Sequence, residues 1–324
     1  MASKPQSRIA LCPQAAAEEE FAALTGKGGT LVVPGDAHYP QGLMALPDAP
    51  PVLSVLGDPS FLTKPSVGIV GARNASVAGR RFAAALATDL GRAGYVVVSG
   101  LARGIDGVAH QGALETGTVA VLAGGVDQIY PPEHGKLHAA IAEKGAVVSE
   151  VRLGQIAKAR DFPKRNRIVS GLSQGVVVVE AAARSGTLIT ARLALEQGRE
   201  VFAVPGSPLD PRSEGTNRLI RQGAVLTRGV DDVVEVLAQQ GGAIAEPGYP
   251  YDAAAPEEVS DEERGALQSR VLALLSYTPT HRDSLIRETG APSQQVADTL
   301  LDLVLEGQAE EAGNGTFVLS AGGT

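Results

Sequence analysis

The chain has 324 residues with a formal net charge of −8, 44% hydrophobic and 20% charged residues, 39 Gly, one Cys and no Trp. Its length suits one large domain with a small companion, because single cores stop growing near about 250–300 residues. The composition excludes wholesale disorder, and the lone Cys12 excludes an internal disulfide or a cysteine metal cluster.

No apolar run reaches the roughly 20 residues of a membrane span, and the first 25 residues lack the basic-then-apolar order of a secretion signal. A cytoplasmic protein with no membrane contact is expected. Charge is uneven along the chain: residues 251–324 hold thirteen Asp/Glu against four Arg, a net −9, leaving residues 1–250 near +1. An acidic total therefore does not argue against a polyanionic partner.

In chain order, residues 1–28 carry little pattern and are expected to be a vestigial or disordered segment. Over residues 29–245 the chain settles into one grammar, plain from position 67: a short β-branched run, a glycine-rich break, then a helical stretch. Strands are predicted at 67–70, 95–98, 119–122, 146–149, 176–179, 201–204 and 224–226. Between them lie amphipathic segments such as "SVAGRRFAAALATDLGRAG" and "GTLITARLALEQG". Continuous apolar strands alternating with helices imply a parallel sheet covered on both faces, a doubly wound α/β domain.

In such a sheet ligands bind beyond the carboxyl ends of the strands. Those ends carry Gly71 and Arg73, then Ser99, Gly100 and Arg103, then Gly124 and Gly125, then "EAAARSGT" with Ser185, Gly186 and Thr187. Helix starts at Ser76, Asp106 and Thr187 are expected to offer unpaired N–H groups to phosphate. Each glycine also serves a tight turn, so the case rests on the number of such loops converging on one edge.

The stretch "KARDFPKRNR" places Lys158, Arg160, Lys164, Arg165 and Arg167 within ten residues, with Phe162 and Asn166 among them and only Asp161 in opposition. Cations that follow a backbone beside an aromatic platform are what an unpaired nucleic acid strand requires. Pro163 predicts a helix starting at Lys164 that sends Lys164 and Arg165 outward. A solvated helix face is the commoner fate of a charge run, but this run has almost no acidic partner at i,i+4.

Other chemistries find less support. "GIVGARNASVAG" follows a strand but lacks the dinucleotide spacing, and the next strand ends in Ser99 instead of an acid; Arg103 leaves a phosphorylated dinucleotide open. No Gly-x-x-x-x-Gly-Lys-Ser/Thr loop and no Gly-x-Ser-x-Gly elbow occur. His134 and His138 share i,i+4 spacing without the intervening Glu of a zinc protease. Asp106 and His110, one turn apart, are either an acid/base pair or, more commonly, a helix cap and a locally bonded His. The alternative to nucleic-acid binding is a nucleotide-processing enzyme with its phosphate cradle at "ARSGTLIT"; a scaffold for another protein is the third reading.

Residues 246–263, "EPGYPYDAAAPEEVSDEE", are expected to be a linker. Residues 264–324 then predict helices at 264–276, 281–288 and 293–306 and a strand pair around "GNGTFVLS", the plan of a winged helix. Its third helix, from Ala291 to Gly307, holds no Lys or Arg. It cannot neutralise phosphates, so this unit is expected to bind protein if it binds anything.

"VGIVGARNASVAGRR", "VVVSGLARGIDGVAHQGAL", "TVAVLAGGVDQIYPPEHGKL", "FPKRNRIVSGLSQGVVVVEAAARSGTLITARLALEQGREVFAVPG" and "SEGTNRLIRQGA" resemble, in this order, the DNA-processing protein A family (DprA, also called Smf). The likeness runs from about Tyr39 to Leu226, with a smaller match in the winged helix. It implies an extended Rossmann domain that binds single-stranded DNA, dimerises and loads the RecA recombinase during natural transformation, without catalysis or a cofactor. By motif the strand site would use Gly71, Arg73, Ser99, Gly100, Gly124, Gly125, Phe162, Arg165, Asn166 and Arg167. The family's lysine three residues before the Phe is Ala159 here, so Lys158 or Arg160 would substitute, and "GAR" stands where Gly-Ser-Arg is commoner. The family's N-terminal helical module is expected to be missing or vestigial.

Overall fold

The computed structural model describes residues 12–242, 261–276, 278–313 and 315–320. They form two units, within residues 1–246 and 247–324.

The larger unit opens with α1 (Gln14–Gly26), β1 (Gly29–Val32), α2 (Gln41–Met44) and β2 (Leu53–Gly57). There follow β3 (Ser66–Val70), α3 (Val77–Arg92), β4 (Val96–Ser99), α4 (Ile105–Ala113), β5 (Thr118–Val121), α5 (Gly135–Lys144) and β6 (Ala146–Ser149). It closes with α6 (Asp161–Leu172), β7 (Gly175–Val178), α7 (Thr187–Glu196), β8 (Glu200–Ala203), α8 (Glu214–Arg221), β9 (Val225–Leu226) and α9 (Val230–Gly242). The seven predicted strands are β3 to β9, each boundary within one residue of its observed place. β1 and β2 were not predicted; they extend one edge of the sheet in antiparallel fashion and so fall outside the strand–helix alternation. Of the segment 1–28 expected to be vestigial or disordered, residues 1–11 lie outside the described residues, while "QAAAEEEFAALTG" is ordered and helical from Gln14, as its Ala and Glu content favours, with Leu24 fully buried.

The nine strands run β1-β2-β6-β5-β4-β3-β7-β8-β9. From β6 to β9 every pairing is parallel. Side chains alternate across the sheet. Val67, Ile69, Val97, Val177 and Phe202 pack under α3, α4 and α9, while Val96, Val98, Val121, Val176 and Val178 pack against α6, α7 and α8. Both faces of the parallel strands are thus buried, which is why they read as unbroken apolar runs. The chain runs outward through β3, β4, β5 and β6, then returns to place β7 on the other side of β3. This reversal opens a crevice beyond the carboxyl ends of β3 and β7.

Helix α6 starts at Asp161, not at Lys164 as Pro163 had suggested. A proline within the first helical turn removes only an N–H that lacks an intrahelical partner anyway. The Asp161 carboxylate also accepts from the Lys158 amide at 2.8 Å, closing the turn that precedes it.

The smaller unit is a winged helix: α10 (Asp261–Leu274), β10 (Thr280–His281), α11 (Arg282–Thr289), α12 (Ser293–Leu305), β11 (Ala309–Gly313) and β12 (Thr316–Leu319). Its core gathers Leu267, Val271, Leu285, Val296, Leu300 and Leu303. Gly290, at φ 63°, ends α11 in the left-handed conformation glycine adopts most readily. The predicted linker at 246–263 lies outside the described residues up to 260, and from Asp261 the chain is already α10. No helix among the described residues is long and apolar enough to cross a membrane.

Candidate functional site

The crevice at the strand reversal is an open cavity of about 550 Å³. The loop after β3 supplies Gly71, Arg73 and Asn74 to it, α6 supplies Phe162, Arg165 and Asn166, and the loop after β7 supplies Arg184, Ser185, Gly186 and Thr187. Two smaller cavities adjoin α6: one of about 210 Å³ beside Tyr130 and Phe162, and one of about 440 Å³ beside Lys164 and Arg167.

The β3 loop can sit low because Gly71 has no side chain: a Cβ there would lie 2.5 Å from Ile105 at the start of α4. It is tied to α7 by the Thr187 hydroxyl, which donates to the Gly71 carbonyl at 3.0 Å. Arg73 then emerges exposed, with no ion pair, and its guanidinium carbon lies 5.4 Å from the Phe162 ring centroid. That cation–π contact covers one face of the phenyl ring. Phe162 is therefore half-buried and not the bare platform the sequence suggested. Its ring also meets Tyr130 at 5.7 Å between centroids and 62° between planes.

The three helix starts are not open phosphate cradles. At α3 the Glu180 carboxylate, from the end of β7, accepts from the Ser76 amide at 2.9 Å and from the Ser76 hydroxyl, while Ser76 Oγ accepts from the Gly79 amide. At α4 the buried Asp106 carboxylate accepts from the Ala102 amide at 3.4 Å; burial pushes its pKa up, and the Arg165 charge opposes that shift. At α7 Ser185 Oγ accepts from the Thr187 amide at 3.2 Å. Each helix dipole meets a group of the chain's own.

Arg165 is the largest departure from the sequence reading, which placed it outward. It is only 6% exposed, and Nη1 donates to the Val121 carbonyl at 2.7 Å. Gly100 makes the room: a Cβ there would lie 1.8 Å from Arg165 Nη1. Arg165 lies one and two turns from buried Ile168, Val169 and Leu172, on the core-facing side of α6. Burial pushes its pKa down to about 10, which leaves it cationic at neutral pH. It lines all three cavities, and its Nε has no hydrogen-bond partner among the described groups. The arginine is a charge beneath the rim, joining the ends of β4 and β5.

Arg167 also departs from expectation. Its side chain is 13% exposed and held by Glu150 at 2.6 Å and Asp48 at 2.8 Å. Arg103 donates to Glu133, and Arg160 lies 4.0 Å from Asp161. The run lacks acidic partners at i,i+4, yet the fold brings it two, Asp48 and Glu150, from distant segments, which helical spacing cannot reveal. Lys158 and Lys164 are exposed without ion pairs, and Asn166 reaches the main crevice. Ser99 is buried, donating to the Ile69 carbonyl at 2.6 Å. Gly124 and Gly125 lie beneath the segment after β6: Cβ atoms there would meet Gln155 O at 2.7 Å and Arg152 O at 2.5 Å.

Three residues outside the sequence-derived set stand on the same rim. Arg184 is exposed without an ion pair, Asn74 lines the main crevice beside Arg73, and Tyr130 is 52% exposed. The signal for Arg184 was its place in a glycine-bearing loop; nothing in the local pattern marked Tyr130. Asp106 and His110 do not form an acid/base pair: fully buried His110 bonds Thr118 Oγ1 at 2.8 Å, and the Asp106 carboxylate accepts from the Ala102 amide of the loop before its helix. His134 Nδ1 and His138 Nε2 each bond a backbone carbonyl, and no cluster of three metal-ligating side chains occurs among the described residues.

Residues 30–238 match the family model described as DNA recombination-mediator protein A, and residues 254–315 match the DprA winged helix domain. The chain belongs to the DNA recombination-mediator protein A family. Protein Smf of Escherichia coli is 42% identical over 281 residues, 85% of this chain and 74% of that protein. The crystal structure of DNA processing protein A from Streptococcus pneumoniae superposes with a TM-score of 0.64 at 38% identity, covering 69% of this chain and 78% of that one. DNA processing protein A from Helicobacter pylori, whose structure is described as giving insight into a unique single-stranded DNA binding mode, has a TM-score of 0.60 at 29% identity, covering 65% of this chain and 96% of that one. All of the rim lies inside the matched DNA recombination-mediator protein A region.

Proposed function

We propose that this protein binds single-stranded DNA along the crevice at the strand reversal and holds it for a recombinase. The observation that carries this reading is the placement of two exposed cations without ion pairs, Arg73 and Arg184, on the loops either side of the reversal, with Phe162 and Asn166 between them. Lys164 on α6 and Lys158 just before it extend the cationic path, and buried Arg165 adds its charge from below. Phosphates follow such a path while bases meet aromatic and amide groups. The DNA-binding set is thus Arg73, Lys158, Lys164, Asn166, Phe162 and Arg184 at the surface, with Arg165, Gly71, Gly100 and Thr187 shaping the rim. Family membership and the single-strand binding of the Helicobacter pylori relative support the same assignment.

In this reading the protein is a cytoplasmic, non-catalytic homodimer without a cofactor that loads RecA on incoming strands during natural transformation. The winged helix serves protein contact, because α12 offers no Lys or Arg to phosphates. The test is a titration of the full chain with labelled single- and double-stranded oligonucleotides at about 50 and 200 mM salt. Preference for the single strand, with affinity falling steeply as salt rises, is expected: four phosphate contacts give a slope of about −3 in log affinity against log salt. A flat salt response, or equal affinity for a mononucleotide, would instead indicate a small-nucleotide site at Ser185–Thr187.

A further inference from the structure

Phe162 lines both the main crevice and the adjoining 210 Å³ cavity, and so divides them. The smaller cavity is walled by Tyr130, Ile129 and Ile156, which are 52%, 36% and 73% exposed. Tyr130 packs by one edge against Phe162, yet much of these three large apolar side chains stays open, and three gathered around one cavity mark a contact surface. Sites for drug-sized molecules occupy about 300–1,000 Å³, so a cavity of about 210 Å³ suits a single planar ring better than a whole nucleotide. Gly100 and Gly124 line it, and their lack of side chains lets Arg165 and the segment after β6 close in around it. Two side chains that line it can meet the edge of a ring: Gln128 and Arg165. Because Arg73 covers one face of Phe162, Tyr130 is the aromatic surface still free to stack.

We propose that the compartment between Tyr130 and Ile156 is a nucleobase slot. It accepts the base adjacent to the one in the main crevice, and Phe162 separates the two as a wedge, so the strand is unstacked at that step. Stacking on Tyr130 needs no particular base, since every base presents a π-face. Duplex DNA is excluded, because neither base of a pair can enter alone without unpairing. This inference rests on the single-strand reading above.

The test uses the full-length protein and the shortest oligonucleotide it binds, scanned with a single abasic site at each position. In the unaltered protein two adjacent abasic positions should weaken binding most. Tyr130→Ala should lower affinity for the intact strand about 5- to 150-fold, the range of one stacked base, and erase the abasic penalty at one of the two positions. Ile156→Ser should shift the profile in the same direction, and Tyr130→Phe should restore the original affinity and profile. Both altered side chains are more than half exposed, so circular dichroism should show no loss of fold. The slot is overturned if the unaltered protein binds single strands with a steep salt dependence while Tyr130→Ala matches it in affinity and abasic profile. Failure of the unaltered protein to bind any single strand would instead overturn the reading of the crevice, and the slot with it.

Discussion

Replacing Arg167 by Met separates a structural cation from a DNA-binding one. Arg167 holds Glu150 at 2.6 Å and Asp48 at 2.8 Å, with only 13% of its side chain exposed. A charge-assisted hydrogen bond to a largely sheltered carboxylate is worth about 1.5–3 kcal/mol, and the pair with Asp48, 67% exposed, adds at most about 1 kcal/mol after solvent screening. Arg167 Nη1 is buried without a partner, a cost of about 1 kcal/mol that methionine removes. The net destabilisation is about 2 kcal/mol. With a urea dependence near 3 kcal/mol per M for a unit of this size, the unfolding midpoint should fall by about 0.7 M at unchanged slope. Single-strand binding, followed as log affinity against log salt, should keep the slope of the unaltered protein. Lys164→Met is the counterpart: its midpoint should stay in place while the salt slope flattens by about 0.7, the loss of one phosphate contact. If Arg167→Met leaves the midpoint alone and flattens the salt slope, the assignment of Arg167 to the scaffold is wrong.

Arg73→Ala and Phe162→Ala should each weaken single-strand binding while the fold stays intact by circular dichroism, Phe162 by about 1–3 kcal/mol if a base stacks beside it; unchanged gel shifts in both would remove the site. Burial pushes the His110 pKa down to about 3, whereas the unfolded chain protonates near 6.5. Stability is therefore unaffected above about pH 6.5 and lost at about 1.4 kcal/mol per pH unit as pH falls toward 3. His110→Gln should lose about 2 kcal/mol less than the unaltered protein between pH 6.5 and 5 in urea titrations, and equal losses in the two would contradict the burial effect. Gly100→Ala must displace Arg165, which lies 1.8 Å from the added carbon, so overpacking should cost about 1–3 kcal/mol and lower Tm measurably. An unchanged Tm would mean that Arg165 has room to move.

The parallel strands were legible because burial on both faces leaves unbroken apolar runs, and each glycine-rich break told where a strand ended. The antiparallel pair β1 and β2 was missed because it extends an edge by a meander with only the short α2 between its strands, so no strand–helix alternation announces it. At the site, "KARDFPKRNR" falls beside the crevice, but its pattern does not tell which of its cations reach it. Helical spacing compares a side chain only with neighbours one turn away. Asp48, Glu150 and Glu133, which pair Arg167 and Arg103, come from other segments, and Arg165 shares the buried face of α6 with Ile168, Val169 and Leu172.

Fold class, winged helix and the edge of the sheet that carries the candidate site were thus determined by the sequence alone, since periodicity and turn chemistry are local and repeat along the chain. Which cations are free, which helix starts are already capped and which aromatic ring stands open were decided by the tertiary structure. Charge compensation and burial depend on distance in space, and only folding brings Glu180 to Ser76, Val121 to Arg165 and Tyr130 to Phe162.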